Sequence, residues 1–223
     1  MGNAVSWYRE IGADAIAVAV SAAIVAGYYL FLRGRVRAHP LYTIHAVNEL
    51  ARSLWVKGVM ANASRDVMAV QTLRNFVMGA SLMASTAALL IIGTLTLSGQ
   101  VEAVSRNWHV MSAYGSVTPE LWIVKVLALL ADFIVAFLAF AMAVRLANHV
   151  GFMINVGTAD VPPSLSPEAV ARRLNRAGNH FAIGLRAFFF AVPLVFWLFG
   201  PAFLVLATLG LVVALYRLDR SGA

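Results

Sequence analysis

Two ionisable residues stand inside a stretch that is otherwise apolar. Lys125 and Asp132 lie within the run Leu121–Val144, where alanine, leucine, valine and phenylalanine dominate. Seven residues make two helical turns, so both side chains fall on one face, about 10 Å apart along the axis. An ionisable group in an apolar helix is a functional expectation by default, because burial of charge in lipid is expensive. A carboxylate there binds a proton or a small cation, and a nearby lysine tunes or balances it. The structural alternative is an aspartate that is hydrogen-bonded to a neighbouring helix or paired with Lys125.

A second constellation is basic and rich in amides: Gln71, Arg74, Asn75, Arg145, Asn148, His149, Asn155, Arg176, His180 and Arg186. These residues flank three different apolar segments at what should be the same membrane side. Arginine forks and side-chain amides suit phosphate or carboxylate groups, so an anionic lipid head group is the simplest expected ligand. Arg74 and Arg186 are the more telling members, since both stand close to apolar spans. The alternative is a packed network between helices plus ordinary flanking arginine.

Other chemistry is weakly represented. His39, His45, His149 and His180 show no metal-binding spacing,; His149 with His180 is the pair that could hold a haem. The aromatic block Phe188, Phe189, Phe190, Phe196, Trp197 and Phe199 could form a quinone or lipid wall, and core packing is the plainer reading. The chain has no cysteine, hence no disulfide and no thiolate site. No phosphate loop, nucleophile triad or paired-carboxylate motif stands out. No cofactor is expected, and the chain is not read as an enzyme.

The elements that must position these residues are long apolar helices. Spans are expected at about 11–32, 76–98, 120–147, 179–200 and 202–218, with an amphipathic helix over 41–61. Thr43, then Asn62 or Ser64, then Thr118-Pro119-Glu120 and Ser166-Pro167-Glu168 carry helix-start chemistry. A helix from Pro119 to about Asn155 would be roughly 55 Å long against a bilayer core of about 30 Å, so it must project beyond the membrane. Pro193 should kink its helix, and Gly200-Pro201 should end it. The 41–61 helix either lies on the membrane surface or packs under the bundle as an elbow. Alanine and serine crowd the first span, and Ala80, Ala84 and Ala88 stripe the second, so close helix packing and a homo-oligomer are expected.

Composition agrees with this. Of 223 residues, 61% are apolar and 12% are charged, against about 45–50% and about 25% in soluble domains. Net charge is +7, but the basic residues sit beside apolar runs, as topology requires, and nucleic-acid binding is not expected. With the N-terminus outside and the C-terminus inside, only Arg9, Arg106 and Lys125 of the 17 Lys and Arg fall outside. Arg9, Glu10 and Asp14 before the first run and Arg33, Arg35 and Arg37 after it suit a retained first helix rather than a cleaved signal. The expected fold is an all-α polytopic bundle of about five spans in an inner or plasma membrane, with cytoplasmic helix extensions.

Several blocks carry a resemblance. Gln71-Thr72-Leu73-Arg74-Asn75 precedes the small-residue span. Asn148-His149-Val150-Gly151-Phe152-Met153-Ile154-Asn155 ends the long helix. Gly184-Leu185-Arg186-Ala187-Phe188-Phe189-Phe190 leads to Pro193-Leu194, Trp197 and Phe199-Gly200-Pro201, and Leu215-Tyr216 with Asp219 closes the pattern. From about Tyr28 to Asp219 the chain resembles the domain-of-unknown-function family numbered 599, polytopic membrane proteins of bacteria and plants. The resemblance implies a helical membrane protein and assigns no activity or site. Three functions are therefore expected to compete: an oligomeric channel or transporter for a small ion or solute through Asp132 and Lys125, a lipid-binding or accessory subunit through the basic cluster, and a redox protein with haem or quinone.

Overall fold

The computed structural model describes residues 2–98, 119–156 and 161–220. Among these residues six α-helices run in order: α1 (Gly2–Ala38), α2 (Ile44–Met60), α3 (Asp66–Ser98), α4 (Pro119–Met153), α5 (Pro167–Phe199) and α6 (Pro201–Leu218). Five of them, all but α2, are long and apolar enough to cross a membrane, and the chain is a multi-pass membrane protein. The expected interfacial loop 98–118, with its Thr118 cap, lies outside the described residues except at Ser98.

Local chemistry sets the helix starts. Thr43 Oγ1 accepts the Ala46 N–H at the start of α2, and Ser166 Oγ accepts the Ala169 N–H at the start of α5, each filling one orphan donor. Asn62 Oδ1 accepts the N–H and the hydroxyl of Ser64, and a 3₁₀ turn, Ala63–Arg65, leads into α3. Pro167 and Pro201 open α5 and α6, where a missing N–H leaves no helical bond unmade. Between those helices Gly200 takes φ +148, a conformation that a side chain would strain. Helix α5 is continuous through Pro193.

The spanning helices pack in the order α3, α4, α5, α6, α1. Helix α4 lies between α3 and α5, α5 also carries α6, and α6 carries α1. Helices α1, α4 and α6 run one way and α3 and α5 the other. At one end Trp122 and Val126 meet Leu97 and Leu198. At the other, Val150 and Met153 meet Leu73, Val170 and Leu174.

That second end is a small helical subdomain. Val56, Val59 and Met60 of α2 enter one apolar cluster with Ala69 and Leu73 of α3, Val150 and Met153 of α4, and Val170 and Leu174 of α5. Helix α2 thus packs on the bundle by this face, while Ile44, Leu50 and Leu54 stay exposed on it. The C-terminus ties it down further, because the Ile44 N–H donates to the Asp219 carbonyl at 3.0 Å.

The middle of the bundle packs tightly on small residues. Ala87 of α3, Ala136 and Phe140 of α4, and Ala187 of α5 form one buried cluster. The ring of Phe140 lies 5.5 Å from that of Phe181 and 5.4 Å from that of Phe188. A Cβ on Gly184 would come within 2.7 Å of that ring, and Phe140 has no exposed surface into which to retreat. Gly184→Ala is therefore expected to destabilise the protein by about 1–3 kcal/mol. Thermal unfolding in detergent checks this, and an unchanged midpoint would show that the α4–α5 contact yields.

Candidate functional site

The charged groups of the spanning region form two clusters and a deeper carboxyl. Lys125 is 1% exposed and does not pair with Asp132. Its Nζ lies 3.0 Å from Asp14 Oδ1 on α1 and 5.5 Å from the centre of the Trp197 ring on α5. Trp197 Nε1 also donates to Asp14 Oδ1. Three helices thus meet at one compact ion pair that is charge-balanced and hydrogen-bonded, the form in which buried charge is tolerated.

Asp132 lies two turns deeper on α4, about 18 Å along the helix from Glu120. It is half-buried, and its Oδ2 is a buried oxygen with no hydrogen-bond partner among the described residues. On the face of α1 that packs inward, Ser21 is buried and its Oγ is likewise unpartnered. A buried polar atom without a partner calls for an explanation, such as strain, a functional role, or a bound water or ion.

The second cluster lies toward the opposite end. Arg186 Nη2 is 3.2 Å from Asp219 Oδ1, the Tyr28 hydroxyl donates to Asp219 Oδ2 at 2.7 Å, and Arg186 Nη1 donates to the Tyr29 hydroxyl at 3.3 Å. The guanidinium also lies 5.5 Å from the centre of the Tyr29 ring. Arg186, expected among the anion-binding residues, spends its charge on Asp219, and it joins α5, α6 and α1.

The rest of the basic constellation is distributed differently. Gln71, Arg74 and Asn75 are exposed on α3, and Gln71 and Arg74 line a concavity of about 280 Å³ together with Asp66. Arg145, Asn148 and His149 are exposed on α4, Asn155 is exposed just beyond it, and on α5 Arg176 is exposed and His180 half-buried. Among the described residues, no group of three or more histidines, aspartates or glutamates is placed to hold a metal. In the aromatic block, Phe188 packs on Phe133 and Phe140. Phe189 and Phe196 instead line an apolar groove of about 570 Å³ between α5 and α6, with Phe203, Leu206 and Gly210.

Reasoning from sequence missed several polar residues. Asp14 carries the same signal as Asp132, a carboxylate within an apolar run, but its place beside Arg9 and Glu10 makes it read as part of a polar flank. Asp219 looked like part of a polar tail. The Arg52–Asn175 contact carried no signal at all: Arg52 Nε donates to Asn175 Oδ1 at 2.8 Å, and Asn175 Nδ2 donates to Ser53 Oγ at 2.9 Å. Gly178 makes room for it, since a Cβ there would come within 2.6 Å of Arg52 Cζ. Burial holds the pKa of Arg52 below its ordinary value, and Glu49 opposes that shift.

Comparison with curated proteins and with solved structures finds no match. The model of a family described as "Protein of unknown function, DUF599" matches residues 16–223, nearly the whole chain, and the chain belongs to that family.

Proposed function

We propose that the protein is a membrane transport protein that passes a small cation across the bilayer, with Asp132 as the intramembrane binding group. The observation that carries this reading is the unpartnered Oδ2 of Asp132 deep in a spanning helix. A carboxyl with no structural bond to lose is free to bind and release a cation, whereas Lys125, the other expected member, is held by Asp14 and serves as a fixed part of the wall. The positive-inside bias supports an N-terminus outside, a C-terminus inside and the α2 subdomain in the cytoplasm of a cell with this inner or plasma membrane. A homo-oligomer is part of the same reading. The Ala stripe of α3 is partly spent on α4, but Ala15, Ala19, Ala22 and Ala26 remain exposed on α1.

A hydrophobic carbodiimide tests this reading, because it labels carboxyls that take up a proton in apolar surroundings. Mass spectrometry of treated proteoliposomes should place the label on Asp132, and cation flux should fall with labelling. An unlabelled Asp132, or full flux from fully labelled protein, would remove it from the path.

Lipid binding is the second reading. The exposed Gln71–Arg74 concavity and the flanking arginines would lie beside an anionic leaflet, which supports head-group contact at the cytoplasmic rim. The apolar groove at Phe189 and Phe196 supports lipid-tail or quinone contact only in general terms.

A further inference from the structure

The register of α1 against α4 brings two unpartnered oxygens to one level. Both helices run in the same direction, and Lys125 is fixed to Asp14. Three residues further along each helix, Ala128 packs against the cluster that contains Ala17. Four residues further still, at the same rise, stand Asp132 and Ser21. Ser21 follows Asp14 and Ala17 on the buried face of α1, and both Ser21 Oγ and Asp132 Oδ2 are buried without a hydrogen-bond partner among the described residues. Arg52 Nη2 and Asn179 Oδ1 are also buried without a partner, but these two oxygens stand at equal rise beyond one contact between α1 and α4.

We propose that Ser21 Oγ and Asp132 Oδ2 together form a proton-binding site between α1 and α4, and that the cation passed at Asp132 is a proton rather than a metal ion. The proposal rests on the transport reading and names its substrate. The surroundings argue for the proton. Hard metal cations take about six or more oxygen ligands, and the further buried hydroxyl that α6 brings toward this stretch of α1, between the Leu204–Ala17 and Leu211–Tyr28 clusters, is Thr208, which already donates to the Leu204 carbonyl. Since the two oxygens do not bond each other, one bridging water suffices to share a proton between carboxyl and hydroxyl. In the binding step a hydronium gives its proton to Asp132: one O–H bond breaks, leaving water, and one forms on Oδ2. Through the bridging water, Ser21 takes up the hydrogen bond of the resulting acid and supplies one to the carboxylate after release. The charged and titratable groups that frame the site are Asp14 and Lys125 on one side and Tyr28, Arg186 and Asp219 on the other. The apolar part of α3, from Phe76 onward, contributes none.

Infrared difference spectroscopy of proteoliposomes, acid minus neutral, tests this without requiring transport. The wild-type protein should show a protonated-carboxyl band that Asp132→Asn removes, that Ser21→Ala moves to higher wavenumber through loss of a hydrogen bond, and that Ser21→Thr restores. Sodium or potassium should leave the band in place. Proton flux should fall about tenfold in Ser21→Ala, the equivalent of one hydrogen bond. A band unmoved by Ser21→Ala, or one displaced by sodium, would overturn the proposal. A band with this behaviour in a protein that moves no protons would leave the site standing and remove the transport reading alone.

Discussion

Lys125→Met alone is expected to destabilise the fold by about 3–5 kcal/mol, and the double variant Asp14→Leu/Lys125→Met to recover most of that loss. In the single variant Asp14 stays buried and charged, with only the Trp197 N–H to balance it. In the double variant, apolar groups of similar size replace the pair, and the desolvation cost of both ions disappears. The site gives neither ion an easy escape, because Lys125 is 1% and Asp14 7% exposed. Reversible unfolding in mixed micelles, followed by helical circular dichroism, measures both variants. A single variant as stable as the wild-type protein would mean that water already reaches the pair. Failure of the double variant to recover would mean that the pair contributes more than mutual neutralisation.

The second large effect has the opposite sign. Asp132→Leu is expected to raise stability by about 1–3 kcal/mol, the desolvation cost of an unsatisfied buried polar group, while removing transport. A residue whose loss stabilises the protein is retained for what it does, and functional sites commonly carry such strain. The same unfolding assay applies. A loss of stability in Asp132→Leu would show that the carboxyl has a structural partner, and the transport reading would lose its basis.

Much of the fold was legible because its signals are local. Thr43, Ser166-Pro167 and Gly200-Pro201 mark helix ends through their own backbone chemistry, and the five spans follow from apolar length. Placement of α2 was not legible, since one apolar stripe serves a membrane surface and a packed elbow equally well. The residues of α3, α4 and α5 that receive α2 are distant in sequence, so its packing on the bundle leaves no local signal. Asp132 was legible as an isolated carboxylate in an apolar run. Its expected link to Lys125 followed from helical spacing alone, and that spacing carries no information about α1, which supplies Asp14 instead. Arg186 was conspicuous for the same reason as Asp132, yet its partner Asp219 sits in a short polar tail that resembles any helix exit. Ser21 looked like one more small residue in a helix crowded with alanine. It stands out once the Lys125–Asp14 contact fixes the register of α1.

The central claim, that this chain passes protons through Asp132, is tested most directly by proton uptake into proteoliposomes driven by a potassium diffusion potential and read with an internal pH dye. The wild-type protein should acidify the vesicle interior faster than protein-free vesicles do, and Asp132→Asn should reduce the rate at least about a hundredfold, the scale of losing a positioned proton-transfer group. Equal rates in the wild-type and Asp132→Asn vesicles would contradict the account.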